Sequence, residues 1–192
     1  MRAAEIKRKT KETDIEVFVR LDGEGKVTVD TGIGFFDHML TAFGMHSGID
    51  LQVSCTGDLE VDGHHTVEDV GVSLGQAFAK ALGDKSGIAR YGSAFVPMDE
   101  TLCFCALDIS GRPFLYYDAE LSDFKCGDFD NCLAEEFFRA FAVNSGITLH
   151  IRKEYGKNDH HVIEAMFKAV AHALKDAVKL TGGEVLSTKG VL

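Results

Sequence analysis

The chain has 192 residues, 45% hydrophobic and 26% charged, with a formal net charge of −10. This is globular composition with room for one sizeable core or two small ones. The acidic balance argues against nucleic acid as the main partner, and no apolar run approaches the roughly 18 residues of a membrane span.

The opening stretch "MRAAEIKRKTKETD" is charged and has no apolar core, so it is not a secretory signal. The expected setting is therefore cytoplasmic. The five cysteines (Cys55, Cys103, Cys105, Cys126, Cys132) form no CxxC pair and are expected to be reduced. Ile15, Val17, Val19 and Leu21 alternate, "DGEGK" turns the chain, and Val27 and Val29 alternate again, which predicts a hairpin. Phe35 to His46 carries apolar residues at helical spacing and stops at Gly48. "DLQVSC" reads as a strand and "TGDLEVDG" as turn, strand, turn. From about Thr66 to Leu82, Val67, Val70, Leu74, Ala77, Phe78 and Ala81 follow the helical period up to Gly83. Strands are expected within "SAFVPMDETLCFCALDIS" and "RPFLYYDAEL", with Cys103 and Cys105 as small packing residues. A helix at about 130–144, a strand at 147–152 and a helix at about 160–179 follow.

The two halves repeat each other. "FDHMLTAFGMHSGIDLQV" (36–53) aligns with "AEEFFRAFAVNSGITLHI" (134–151), placing Ser47-Gly48-Ile49 on Ser145-Gly146-Ile147. "HHTVED" (64–69) then falls on "HHVIEA" (160–165). The pattern predicts an α+β fold made by internal duplication of two βββαβα-type halves, 1–88 and 89–192, each a sheet with helices on one face.

The repeated motif carries four of the eight histidines. At the start of a helix, Glu68 shares a face with His64 or His65, and Glu164 with His160 or His161. Adjacent residues project about 100° apart, so neighbouring histidines do not easily bind one ion. The simple solution sends one histidine of each pair to each of two ions. Imidazole plus carboxylate suits manganese, iron or zinc, and an octahedral ion such as Mn²⁺ fits a site with open positions. A single His-His pair is usually polar surface, but its recurrence at matching positions of the repeat favours metal binding. Asp37 is positioned in sequence to orient His38. His150 and His172 read as partly buried structural residues. "STKG" (187–190) can wrap an anion or be a solvated terminus, and Lys168, four residues after Glu164, lies on the same helix face and suggests an anionic substrate.

Taken together, "TGIGFFDHML", "GDLEVDGHHTVEDVGVSLGQAF", "RYGSAFVPMDE", "LDISGRP", "GKNDHHVIEAMFKAVAHAL" and "STKGVL" resemble the imidazoleglycerol-phosphate dehydratase family, from about Arg8 to Leu192. The resemblance implies a fold of two ribosomal S5 domain 2-like halves. It implies elimination of water from imidazole glycerol phosphate to give imidazole-acetol phosphate, a step of histidine biosynthesis. The proton lost is not beside a carbonyl. An ion on each ring nitrogen would stabilise negative charge on the ring while the hydroxyl departs.

By position, the resemblance implies metal ligation by His38, His64, His65, Glu68, His160, His161 and Glu164, with two Mn²⁺ per site. Glu12 is implied in proton transfer, beside Glu68 and Glu164 as catalytic carboxylates. His46 is implied to contact substrate, and Arg90, Arg112, Lys168, Ser187 and Lys189 to hold the phosphate. Many family members have histidine where this chain has Glu136, the repeat counterpart of His38; Glu136 is taken as a ligand of the same site. Sites shared between subunits of a twenty-four-chain homo-oligomer are implied too, with no membrane or nucleic-acid partner. The alternatives are a metal-dependent hydrolase of a phosphorylated small molecule and a protein that uses ions only to assemble.

Overall fold

In the computed structural model, which describes residues 2–183, 185–188 and 190, the duplication is visible in the strand order. The first half runs β1 (Ala3–Lys9), β2 (Thr13–Arg20), β3 (Val27–Asp30), α1 (Gly34–Ser47), β4 (Asp50–Gly57) and α2 (His64–Leu82). The second runs β5 (Tyr91–Met98), β6 (Thr101–Asp108), β7 (Phe114–Asp118), a short hairpin of β8 (Lys125–Cys126) and β9 (Phe129–Asp130), α3 (Leu133–Ser145), β10 (Thr148–Tyr155) and α4 (Asp159–Ala177). The sheets are ordered β1-β2-β4-β3 and β5-β6-β10-β7, the same topology twice. In each, the third strand pairs in parallel with the strand that follows the first helix.

Alternation fixes which face each strand buries. In β2, Ile15, Val17 and Val19 are fully buried, and in β6 Cys103, Cys105 and Leu107 take the same positions. Helix α2 packs on β1 and β2, and α4 packs on β5 and β6. The helices also pack across the halves, α1 on α4 and α2 on α3. The four helices thus lie between two sheets, and the two halves share one core. Its centre is a cluster of buried phenylalanines. Phe36 meets Phe137 edge-on with centroids 5.4 Å apart, Phe43 and Phe78 both meet Phe141, and Phe167 contacts Phe137 and Phe138. Each such pair contributes about 1 kcal/mol beyond its area burial.

Two glycines let α2 and α3 approach. A Cβ on Gly71 would stand 2.9 Å from the Phe137 carbonyl oxygen, and one on Gly75 would stand 2.8 Å from that of Phe141. They are four residues apart and so lie on one stripe of α2. The repeated Ser-Gly-Ile ends both first helices alike: Gly48 and Gly146 have φ 73° and 69°, and the preceding serine hydroxyls donate back to helix carbonyls.

The expected hairpin of residues 15–29 does not form. β4 lies between β2 and β3, antiparallel to one and parallel to the other. The "DGEGK" segment crosses the end of β4, held by Asp50, whose carboxylate accepts the backbone N–H groups of Glu24 and Lys26. β2 pairs on its other side with β1, a strand the charges of Lys7, Arg8 and Lys9 conceal; as an edge strand it exposes Lys7 and Lys9 to solvent, while Arg8 turns inward to Asp69 of α2 at 2.7 Å. "TGDLEVDG" holds no strand beyond the end of β4; residues 58–63 turn, with Leu59 and Val61 exposed. All five cysteines are free, and burial pushes the Cys103 thiol up to about 12. Cys103 and Cys105 are core residues, as expected.

Candidate functional site

Both histidine pairs lie in the first turn of a helix; α2 starts from Gly63 with no side-chain cap, and α4 is capped by Asn158. The Asp62 carboxylate accepts the His64 N–H at 2.7 Å, and the Asn158 side chain accepts the His160 N–H at 3.0 Å. The two rings of each pair diverge, with interplanar angles of 86° for His64 and His65 and 82° for His160 and His161. The first histidine of each pair faces its own glutamate: His64 Nε2 is 3.7 Å from Glu68 Oε2, and His160 Nε2 is 3.3 Å from Glu164 Oε2. The second faces away. His65 Nδ1 lies 3.0 Å from Asp58, and His161 Nδ1 lies 2.7 Å from Glu100. The carboxylate of Glu12 stands 3.9 Å from His65 Nε2.

Among the described residues, one trio lies close enough together that it could hold a metal ion: His38 from α1 with His160 and Glu164 from α4. His38 Nε2 lies 3.5 Å from Glu164 Oε2. Glu164 is only 6% exposed. Burial alone would push its carboxyl up, yet Lys168, 2.6 Å from Oε1, and His38 outweigh this and hold it below the usual carboxylate range. A buried carboxylate beside two half-exposed imidazoles is a hard nitrogen and oxygen donor set that fits Mn²⁺, Fe²⁺ or Zn²⁺. The repeat counterparts do not gather in the same way. Glu136, opposite His38 in the duplication, turns to Arg139, with 3.6 Å between Oε2 and Nε.

Electrostatics separate the outer histidines from the inner ones. The hydrogen bond to Asp58 raises the pKa of His65, and that to Glu100 raises the pKa of His161. Glu100 is itself held well below the usual carboxylate range, first by the Asn158 N–H and then by His161. His46 behaves oppositely. Burial first, then the neighbouring His172 and Lys168, lower its pKa, and its Nδ1 lies 3.1 Å from His172 Nε2.

The residues expected to hold an anion fall in two places. Arg90, 8% exposed, directs Nε and Nη2 at Asp108 and donates through Nη1 to the Leu186 carbonyl at 2.5 Å. Arg112 stands 3.8 Å from the same Asp108, so Arg90, Arg112 and the segment reaching Ser187 are neighbours. Lys168 is elsewhere, against Met98 at the far end of β5. Arg90 precedes β5, and a strand rises about 3.3 Å per residue, so the two ends stand roughly 25 Å apart. Lys189 lies outside the described residues.

Two further expectations change. Asp37 does not orient His38; its Oδ1 accepts the N–H and hydroxyl of Thr31 at 2.9 and 2.5 Å. His150 is exposed on the outer sheet face and stacks on Tyr116, whereas His172 is half-buried as expected. Asp58 and Glu100 are not found by sequence motif, because an acidic residue in a loop carries no signal of its own until the fold brings a ring nitrogen to it. The repeat could have found Glu100, since "ETDIEV" (12–17) and "ETLCFC" (100–105) are the second strands of the two halves.

Comparison with known proteins places the chain in a family. Residues 31–174 match the family model for imidazoleglycerol-phosphate dehydratase. The chain is 58% identical over its whole length to the imidazoleglycerol-phosphate dehydratase of Symbiobacterium thermophilum, covering 93% of that protein. It is 57% identical, again over its whole length, to that of Acetivibrio thermocellus, covering 99% of it. Among solved structures, the Staphylococcus aureus imidazoleglycerol-phosphate dehydratase superposes with a TM-score of 0.85 at 41% identity, over 93% of this chain and 99% of that one. The Pyrococcus furiosus IGPD, in complex with (S)-C348, gives 0.85 at 40% identity, over 97% of this chain and 100% of that one. The chain belongs to the imidazoleglycerol-phosphate dehydratase family.

Proposed function

We propose that this lyase removes water from imidazole glycerol phosphate with two manganese ions per site, yielding imidazole-acetol phosphate for histidine biosynthesis. The observation that carries the reading is the divergence of adjacent histidines in both copies of the motif, with His64 and His160 on their glutamates and His65 and His161 on the other side. One ring of each pair is thereby available to each of two ions. Bound there, the ions supply Lewis acidity to the two nitrogens of the substrate ring.

The ligands are His38, His64, His65, Glu68, His160, His161 and Glu164, with Glu136 replacing the more usual histidine. In the reaction one carbon loses a proton, its neighbour loses hydroxide, and a carbon–carbon double bond forms, which rearranges to the ketone. Glu12, exposed beside His65, is the group that moves the carbon-bound proton. Arg90, Arg112 and Ser187 hold the phosphate from one side and Lys168 from another, with Lys189 as a further phosphate ligand and His46 in contact with the substrate.

The distance between these two groups supports a site shared between copies of the chain, because no single chain brings both to one phosphate. So does the outer face of the second sheet. Tyr91, Phe95, Phe114 and Tyr116 are about half exposed there, whereas the same face of the first sheet carries Glu5, Lys7, Glu16 and Gln52. Both features favour self-association with sites shared between subunits, which we read as the twenty-four-subunit assembly. Among the described residues, no helix is long and apolar enough to cross a membrane.

The test is turnover of imidazole glycerol phosphate by metal-loaded protein, with Lys189→Ala beside it. The expected product is the ketone without free phosphate, and the variant raises KM more than it lowers metal content. Phosphate release would favour a hydrolase instead.

A further inference from the structure

The two outer histidines stand before two copies of one hairpin. Glu12-Thr13 closes the turn between β1 and β2, and Glu100-Thr101 closes the turn between β5 and β6, at a constant shift of 88 (12 to 100). Both threonines are buried, at 3% and 1%. Topology therefore makes Glu12 and Glu100 counterparts, as His65 and His161 are.

The counterparts are put to different uses. Glu100 is tied down: Oε2 meets His161 Nδ1 at 2.7 Å, while Oε1 accepts the N–H groups of Lys157 at 3.2 Å and Asn158 at 2.9 Å. In the first half the equivalent ring nitrogen is taken by Asp58, whose two oxygens lie 3.1 and 3.0 Å from His65 Nδ1. Asp58 comes from the loop between β4 and α2, not from the hairpin. Among the described residues, the Glu12 carboxylate meets only His65, on the opposite nitrogen, at 3.9 Å.

An ionised carboxylate can only accept, so the ring nitrogen facing it must carry the hydrogen. In a neutral imidazole this leaves the lone pair on Nε2. We infer that Asp58 and Glu100 are the positioning residues of His65 and His161, each fixing the Nδ1–H tautomer and presenting Nε2 as the ligating nitrogen, and that Asp58, by taking this role in the first half, leaves Glu12 free for proton transfer. The inference rests on the two-metal reading given above. It assigns one job to two carboxylates of different origin, and two jobs to two carboxylates of the same origin.

The experiment uses the full-length protein in its native assembly. Mn²⁺ binding is measured by calorimetry, and the histidine tautomers of the metal-free protein are read from nitrogen-15 shifts. The variants are Asp58→Asn, Glu100→Gln and Glu12→Gln, with His65→Ala and His161→Ala as references. Asp58→Asn and Glu100→Gln are expected to weaken Mn²⁺ binding about 10- to 100-fold and to move the corresponding ring away from pure Nδ1–H. Glu12→Gln is expected to leave both readouts unchanged while turnover falls about 100-fold or more. Gln at 100 keeps an acceptor for the Lys157 and Asn158 N–H groups; should that variant still misfold, Asp58→Asn decides alone. Unchanged Mn²⁺ affinity and tautomers in Asp58→Asn, with a loss in His65→Ala, would overturn the positioning role and leave the two-metal reading standing. No loss in either reference variant would overturn the two-metal reading itself. A tautomer change in Glu12→Gln would overturn the division of labour.

Discussion

His38 Nε2 lies 3.5 Å from Glu164 Oε2, and the two residues belong to different halves of the duplication. The contact follows from the packing of α1 on α4, so the candidate metal-binding trio is a product of how the halves interlock. The corresponding contact from the other side is missing: Glu136 faces Arg139.

As a ligand in the working assembly, Glu136 would offer a carboxylate whose contact with Arg139 is a single one at 3.6 Å. Glu136→Ala is expected to weaken the binding of one of the two ions by about tenfold or more, the scale on which even outer partners of a metal site act. Arg139→Ala is expected to leave metal content at its full level. Two tightly held ions per site in Glu136→Ala, counted by elemental analysis and titration, would remove Glu136 from the ligand set.

Lys168 offsets the charge of a carboxylate that is only 6% exposed. Lys168→Met is expected to destabilise the metal-free protein by about 2 kcal/mol, the size of a hydrogen bond to a charged group. Saturating Mn²⁺ is expected to recover most of this, since the ion supplies positive charge at the same carboxylate. Thermal melts with and without metal check both statements, and equal losses in the two conditions would count against Glu164 as a ligand.

His65 and His161 have pKa values raised by Asp58 and Glu100. In the metal-free protein their pairs therefore contribute stability that is fully present below the ordinary histidine value of about 6.5 and is lost as pH rises through the raised folded values. Metal binding has the opposite dependence, because it requires neutral imidazoles. Mn²⁺ affinity is expected to rise with pH through the window just above about 6.5, and loading there releases protons. Calorimetry in buffers of different ionisation enthalpy measures that release; its absence would exclude these two rings as ligands.

Helices α2 and α3 are held close by Gly71 and Gly75, where an added Cβ would stand within 2.9 Å of a backbone oxygen. Backbone cannot rotate aside as a side chain can. Gly71→Ala and Gly75→Ala are each expected to cost about 1–3 kcal/mol despite the better helix propensity of alanine. Denaturant titration reads the change, and a gain in stability would show that the helices separate freely.

Much of this was legible before the fold was known. The helices show because α2 and α4 bury stripes of fixed period, and the duplication shows because Ser-Gly-Ile and the histidine motif recur in order. Pairing was less legible. β2 and β3 look like a hairpin because alternation reports burial, not which neighbour a strand hydrogen-bonds. β1 was hidden because an edge strand exposes its charges. In the site, the divergence of adjacent histidines follows from helix geometry alone. Asp58 and Glu100 do not, because their role depends on where a loop and a hairpin turn end in space. Nor does the separation of Lys168 from Arg90, which only the course of β5 reveals.

The central claim is that two ions held by the duplicated histidines drive elimination, and it is tested most directly by one chelation experiment. Purified protein is assayed with imidazole glycerol phosphate as isolated, after metal removal, and after Mn²⁺ is returned, with metal content measured at each stage. The expected result is two ions per site, loss of ketone formation with their removal, recovery on their return, and no free phosphate at any stage. Undiminished ketone formation by protein stripped of metal would contradict the account.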